Sequence, residues 1–531
     1  MTKATWSEAE GGANVKLDME RMLKRRSTKV VCYHAVLSRT ACNDKIIKGG
    51  KKIMKANMKK LLAMGLTVVL TVGCLSGCGE KKDDPGKQDP GSKSGDNKGN
   101  QESSQKKTFD DLGGMTISIG DWYTSEEVGE SEYARATEDY RQEIMDKYNF
   151  KIKRETKFSY QDQQEKYVNG VMSKSPECQL HYLYQEKVAA PLMKGLMYDL
   201  STLPEFDFKE EKWNQTVVEL MSIGNGIWGM NPEAEPRGGV FFNKRMLKEA
   251  GIDEDEPYDL QKANKWTWTK FKEYCKKLTV DTDGDGKTDQ YALASFSKYY
   301  LPMCAANNNA TFVDVNEEGK YENKSGTKEF LEAMNWGMSL YNDGYIKPKP
   351  EGAAWDWYKA AFRDGEVAMQ VSEVYEISAF ATMEDNWGFV MFPYNEKNKD
   401  ATNCSTPNDN IIVMPSCYEP EEAEKIAFAY DLYTEPTPEF DLDEAWKEPY
   451  YEQFRDERAV DETLTMMREP ERKQTSYLPM LGELDYGDFC YSVYAGATTP
   501  AKQIEKVSSQ WNKVIDDMNK KYENFAASHS K

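Results

Sequence analysis

The sequence predicts an α/β protein of more than one domain. Strand and helix signals alternate from about Asp110 onward, the 531-residue chain exceeds one ordinary domain, and its hydrophobic (39%) and aromatic (12%) content suffices for a large core. Met115–Ile119 alternates as a strand and stops at Gly120-Asp121; Tyr140, Ile144 and Tyr148 at four-residue spacing make a helix; Lys151–Arg154 makes the next strand. This β-α-β order predicts a parallel sheet, with ligands beyond the C-terminal ends of its strands. Further on, Thr267 is placed to cap a helix whose apolar positions are Trp268, Phe271, Tyr274, Cys275 and Leu278. Leu331, Met334, Met338 and Tyr341 form a helical stripe that ends near Gly344, and Pro420 opens a helix carrying Ala423, Ile426, Ala427 and Tyr430. Trp228 and Trp387 sit in apolar strand-like runs and are read as packing residues.

A formal charge of -20 argues against a nucleic-acid binder, which needs a basic footprint. Of three histidines, His34 precedes the export signal described next and His529 lies in the terminal tail, which leaves His181 for acid–base or metal chemistry; a lone histidine is more often packed than catalytic. The ten cysteines include no CxxC pair, so neither a zinc site nor a thioredoxin-like motif is indicated, while one or two disulfides stay open among Cys178, Cys275, Cys304, Cys404, Cys417 and Cys490.

Residues 58–78 read MKKLLAMGLTVVLTVGCLSGC: two lysines, a short apolar run from Leu61 to Val72, then small residues. The run is shorter than the ~20 residues that span a bilayer. Leu75-Ser76-Gly77-Cys78 resembles the bacterial lipobox, which implies a diacylglycerol on Cys78 and cleavage just before it. Each acyl CH₂ buried contributes about 0.8 kcal/mol, so two or three chains anchor firmly. Residues 79–108 contain no aromatic or large aliphatic side chain and read as a flexible linker. Residues 1–57, with 13 Lys/Arg against 5 Asp/Glu, read as a mis-called start or a leader removed with the signal; the expected mature chain then runs from Cys78 to Lys531.

Four further segments carry a family resemblance. Gly239–Ile252 (GVFFNKRMLKEAGI) is similar to "YYNKDLFKKAGI", with Phe242 where tyrosine is usual. Thr267–Thr279 resembles "TWDEL…AKKLT", Phe362–Met369 resembles "F..GKVAM", and Trp387–Pro393 resembles the "(W)G…PFP" strand. Together with the lipobox, these resemble the extracellular solute-binding proteins of ABC importers, the carbohydrate-type family 1, across roughly residues 110–435; residues 436–500 match nothing in that pattern. The resemblance implies a two-lobed, type II periplasmic-binding-protein-like fold with a hinge. By that analogy the chain crosses near Arg237–Val240 and returns near Asn408–Asn410. Lobe 1 is expected from 109–238 plus about 406–440, and lobe 2 from 239–405 plus about 441–531.

A sugar offers polar edges and apolar C–H faces, so its site needs aromatic platforms and planar hydrogen-bonding groups. Asp121, Trp122 and Tyr123 follow the first strand; Tyr184, Gln185 and Glu186 follow a strand over His181–Leu183, where the family often contacts ligand. Tyr375, six residues past Met369, falls where the family commonly has a stacking Trp, beside Glu373; Trp355, Trp357, Asn408 and Asp409 complete the candidates. Separately, Asp281, Asp283, Asp285, Lys287 and Asp289 occupy positions 1, 3, 5, 7 and 9 of an EF-hand-type loop with Gly286 at 6. Position 12 is Ala292 rather than Glu, which favours a solvated acidic turn over a structural Ca²⁺ site.

The expected function is a monomeric, lipid-anchored, extracellular binding protein that requires no cofactor and delivers a carbohydrate, an oligosaccharide by preference, to ABC permease subunits. A surface glycan-binding lipoprotein without a transporter is the alternative. A glycoside hydrolase ranks lower: it needs two carboxylates about 5–9.5 Å apart, and no motif singles out such a pair.

Overall fold

Strand β1 (Met115–Asp121) and strand β2 (Phe150–Thr156) lie parallel, joined by helix α1 (Glu132–Tyr148). Ser131 starts that helix by accepting a bond from the Ala134 N–H, and Asn149 ends it in the left-handed region (φ 54°). Helix α2 (Gln163–Met172) leads to β3 (Leu180–Leu183), which runs parallel to β1 on its other side. The computed structural model describes residues 108–123, 131–232, 237–406, 410–482 and 484–529. All belong to one compact unit, Asn100–Lys531. The lipobox with Cys78, the signal segment, residues 79–107 of the linker, Asn408 and Asp409 lie outside the described residues.

The second sheet starts with β4 (Gly239–Asn243), fully buried along its length. Helix α3 (Trp268–Leu278), capped by the Thr267 side chain on the Lys270 N–H, precedes β5 (Tyr291–Ser295) and α4 (Ser297–Ala306). Helix α5 (Lys328–Asn342), β6 (Val367–Ser372) and β7 (Trp387–Met391) follow. The chain then returns to the first sheet as β8 (Ile411–Val413) and continues into α6 (Pro420–Tyr433). Both sheets are four-stranded, ordered β8-β3-β1-β2 and β7-β4-β6-β5.

The expected parallel sheet is present in part. β8 pairs antiparallel with β3, and β4 runs antiparallel to both neighbours, β6 and β7. The antiparallel strands are those the chain reaches by passing from one sheet to the other, so their direction follows from the connection and not from the local pattern. β4 tolerates its position because Gly388 on β7 leaves room for the Phe242 ring; a Cβ there would collide with that ring and with the Tyr258 hydroxyl. The apolar tryptophans Trp228 and Trp387 are buried.

Helix α5 corrects one reading. Its inward face is Phe330, Ala333, Met334, Gly337 and Leu340, while Leu331, Met338 and Tyr341 are only part-buried. Gly337 permits this docking: a Cβ there would stand 2.9 Å from the Leu301 side chain on α4, so α5 approaches α4 closely at that position. Met334 belongs to both rows.

Residues 436–500, unmatched in sequence, form short helical turns and then α7 (Tyr486–Tyr494), and α8 (Pro500–Ser528) follows. Thr463 accepts from Gln261 and donates to the Phe389 carbonyl, both 2.9 Å, and Asp456 pairs with Lys244 at 2.6 Å, fixing this region to the second sheet. The segment between β3 and β4 is touched as well: Tyr477 donates to Glu219 at 2.6 Å, and Phe525 on α8 packs edge-on against Trp228 at 4.7 Å. Among the described residues the six cysteines are free thiols, and no helix is long and apolar enough to cross a membrane.

Candidate functional site

Parallel strands present their last residues and following loops at one end of a sheet. At that end of the first sheet, β1 delivers Trp122 and Tyr123, the loop after β2 delivers Tyr160, and β3 delivers Tyr184. Trp122 makes edge contacts with Tyr123, Tyr160 and Tyr184 at 4.7, 5.7 and 5.8 Å, and Tyr160 meets Tyr184 at 5.3 Å. Tyr123 and Tyr160 remain more than a third exposed. The result is a broad aromatic surface, part-open to solvent.

Asp121, expected among the ligand contacts, faces the other way. Its side chain is fully buried and accepts from the backbone N–H of Trp122 (2.6 Å) and Tyr123 (3.1 Å) and from Arg154 Nε (2.6 Å). The Arg154 guanidinium in turn lies 4.3 Å from the Tyr182 ring centroid and 5.6 Å from that of Tyr123. Burial raises the Asp121 carboxyl above its ordinary pKa; the Arg154 charge and the N–H donors oppose that rise. Asp121 and Arg154 therefore orient the rings from behind. Asn410 completes the edge, donating to the Tyr123 hydroxyl at 3.3 Å.

The second sheet contributes a matching group. Tyr299, after β5, and Tyr375, after β6, share a hydroxyl–hydroxyl bond of 2.8 Å. Glu373 pairs with Arg237 at 2.9 Å, and the same guanidinium stands 5.2 Å over the Tyr375 ring. Trp355, 56% exposed, rests edge-on against Phe296 at 5.7 Å under the Lys359 ammonium. Trp357 opens a helix and packs against the core cluster, so packing is its role.

Glu186 links the two groups. It accepts from Lys298 on α4 (2.9 Å) and from Tyr486 on α7 (2.8 Å), while Gln185 sits part-buried in the same turn. The Tyr184 phenol is pushed well up, first by burial and then by the carboxylates of Glu186 and Glu373, which brings residues of both sheets within electrostatic range of one ring. Each of these charged side chains has an opposite partner: Asp121 with Arg154, Glu373 with Arg237, Glu186 with Lys298. The arrangement suits a neutral ligand with apolar faces and hydroxyl edges.

His181 takes no part in chemistry at this surface. It is 1% exposed, bonded through Nε2 to the Cys178 carbonyl at 3.0 Å and stacked on Phe158, and burial drives its pKa down to about 4. In the acidic loop, oxygens of Asp281, Asp283 and Asp285 lie within 4.8 Å of one another. Asp281 already accepts from the Gly284 and Gly286 N–H groups, Asp285 holds the Lys287 ammonium at 2.9 Å, and Asp289 turns to Thr282. Ala292 is buried in β5.

Of the residues named from the sequence, the structure groups Trp122, Tyr123 and Tyr184 at the end of the first sheet and Glu373 and Tyr375 at the second, with Glu186 bonded to Lys298 of the second sheet's α4. Sequence reasoning missed Tyr160, Tyr299, Arg154, Arg237 and Lys298. The rule that found Trp122 also covers Tyr160 and Tyr299, since each follows a strand of the parallel part of its sheet. Nothing local marks Arg154, whose role depends on Asp121 across the β1–β2 pairing.

Comparison with solved structures recovers the same two-lobed fold. The cyclic alpha-maltosyl-1,6-maltose binding protein from Arthrobacter globiformis is similar at TM-score 0.57 and 14% identity, covering 76% of this chain and 99% of that one. The ABC substrate-binding protein Lmo0181 from Listeria monocytogenes, in complex with cycloalternan, is similar at TM-score 0.52 and 15% identity, covering 76% and 98%. UgpB from Mycobacterium tuberculosis, in complex with glycerophosphocholine, is similar at TM-score 0.54 and 14% identity, covering 76% and 98%. Among curated protein sequences none matches the chain. Residues 137–429, over half of the chain, match the family described as bacterial extracellular solute-binding protein. The chain belongs to that family of bacterial extracellular solute-binding proteins.

Proposed function

We propose that the protein is the substrate-binding lipoprotein of an ABC importer, tethered through a lipid on Cys78, and that it closes on a neutral oligosaccharide between its two lobes. The observation that carries this reading is the pair of aromatic surfaces, one at each sheet end, beside which the carboxylates of Asp121, Glu373 and Glu186 are each paired with a cation. Rings cover the C–H faces of a sugar, and hydroxyls of Tyr123, Tyr299 and Tyr375 meet its polar edge. Closure then draws its energy from ligand contacts that exist only when the lobes approach. Structural relatives in complex with cycloalternan and named for a cyclic maltosyl-maltose support the carbohydrate class.

A relative bound to glycerophosphocholine raises a second class. A quaternary ammonium needs ring faces disposed around it, each within about 6 Å. The rings beside Trp122 instead contact one another edge to face at 4.7–5.8 Å, so these contacts set ring edges against faces rather than faces around a common centre. The saccharide reading is therefore preferred.

The test is thermal unfolding of the full chain against linear and cyclic oligosaccharides, with glycerophosphocholine alongside. A ligand at 100 times its Kd adds about 2.7 kcal/mol. A shift with a saccharide, lost in Trp122→Ala, supports the proposal; a shift with glycerophosphocholine alone replaces it. Product analysis after incubation separates binding from hydrolysis, and reconstituted uptake with neighbouring permease subunits separates import from surface retention.

A further inference from the structure

A second concavity, of about 970 Å³, lies between α3, α5 and the turn at 395–397, and shares no residue with the surfaces described above. Its size falls within the range of small-ligand sites. Its floor is an indole pair: Trp268 and Trp336 stack 4.3 Å apart with an interplanar angle of 6°. Trp268 is 4% exposed and fixes the part-exposed Trp336 in place. The Trp268 indole N–H is buried and has no acceptor, so it is the Trp336 ring that the pair offers to the groove.

The walls are mixed. Leu331 is apolar, while Asn335 and Ser339 carry amide and hydroxyl groups; the Asn395 side chain is buried and serves to hold the turn. Lysines and glutamates alternate along the rim, and Lys272 is already engaged by Asp343 at 2.6 Å, so no excess charge selects an ion. The third wall is preformed: the Asn395 side chain donates to Asn308 Oδ1 at 2.8 Å, its backbone N–H donates to the Asn307 carbonyl, and Asn398 donates to the Asn308 carbonyl at 2.8 Å. A rigid aromatic floor under a rim whose lysines and glutamates balance, with the Asn335 amide and Ser339 hydroxyl between them, suits a sugar ring. These residues are separate from those of the site between the sheets.

We propose that this groove is a second, weaker binding site for a neutral saccharide, which stacks on Trp336. The site is independent of the first and needs no lobe closure, because its walls come from the second lobe alone. A small, shallow aromatic floor sets the expected affinity on the order of millimolar.

The experiment follows the indole N–H resonance of Trp336, assigned through Trp336→Phe, in the ¹⁵N-labelled full chain titrated with maltotetraose and with cellotetraose to about 20 mM. The proposal predicts saturable movement of that resonance with at least one sugar. The movement persists in the Trp122→Ala/Tyr375→Ala protein, where the site between the sheets is disabled. It weakens at least tenfold in Leu331→Glu, which plants a charge on a part-exposed wall without disturbing the core. No saturable movement with either sugar overturns the proposal, as does movement abolished in the double variant or a midpoint unchanged by Leu331→Glu. Failure here leaves the first site untouched, since resonances of Trp122 and Trp355 report it separately.

Discussion

Replacing Arg154 with alanine should loosen the first aromatic surface and destabilise its lobe together. Asp121 is fully buried, and Arg154 supplies one of its three hydrogen bonds as well as its only counter-charge among the described contacts. Breaking a buried pair costs about 3–5 kcal/mol when a charge is left bare. Two backbone N–H donors remain here, and the Arg154 side chain is 33% exposed, so about 2 kcal/mol is the better expectation. For a lobe-sized unit that corresponds to a Tm fall of roughly 4–8 °C. The pH dependence has a definite sign. Burial already raises the Asp121 pKa and Arg154 opposes the rise. Without Arg154 the carboxyl protonates more readily in the folded state, so the cost of the substitution is largest at neutral pH and shrinks as pH falls. Urea unfolding of wild type and variant at pH 7 and pH 5 reads both quantities. Arg154→Lys, which keeps the charge and loses the planar contact with Tyr182, should fall between them. A loss under about 0.5 kcal/mol, or a loss that grows toward acid, refutes the assignment of Asp121 and Arg154 as the support of this surface.

Three further outcomes are expected. His181 is held neutral in the fold with a pKa near 4, against 6.5 for an ordinary imidazole. Its stabilising contribution is complete above pH 6.5 and is lost as pH falls toward 4, by about 3 kcal/mol, so the stability gap between wild type and His181→Gln closes over that window; an imidazole that titrates near 6.5 by NMR contradicts this. Lys298→Met removes the part-buried partner of Glu186 and should cost about 1 kcal/mol in urea unfolding, whereas no change means the link between the sheets carries no energy. In the acidic loop the carboxylates are engaged by backbone N–H groups and Lys287, and the twelfth position is apolar. About 2 mM Ca²⁺ should therefore leave Tm unchanged, and a clear rise restores the metal reading.

What the sequence made legible divides along physical lines. Local patterns carried far: β1-α1-β2, the Thr267-capped helix and the Pro420 helix stand at their expected places because each is set by contacts within a few residues. Strand direction was not legible for β4 and β8, whose orientation follows from crossings between sheets. The buried face of α5 is offset from the Leu331–Tyr341 stripe, because Gly337 lets that side of the helix approach α4 closely. The region after residue 436 has short turns whose partners, such as Gln261 for Thr463 and Glu219 for Tyr477, are remote in sequence. The site shows the same contrast. Trp122 was placed by strand order and Tyr375 by the family resemblance, while the inward turn of Asp121 depends on Arg154, and the link at Glu186 depends on Lys298 and Tyr486.

The most direct test is a crystal structure of the full chain grown with the oligosaccharide that gives the largest thermal shift. The account predicts sugar rings lying between the Trp122–Tyr184 surface and the Tyr299–Tyr375 pair, with carbon faces against the aromatic rings and hydroxyls near Tyr123 and Asn410. A ligand bound only elsewhere, or sheet ends sealed against each other by their own side chains, contradicts it.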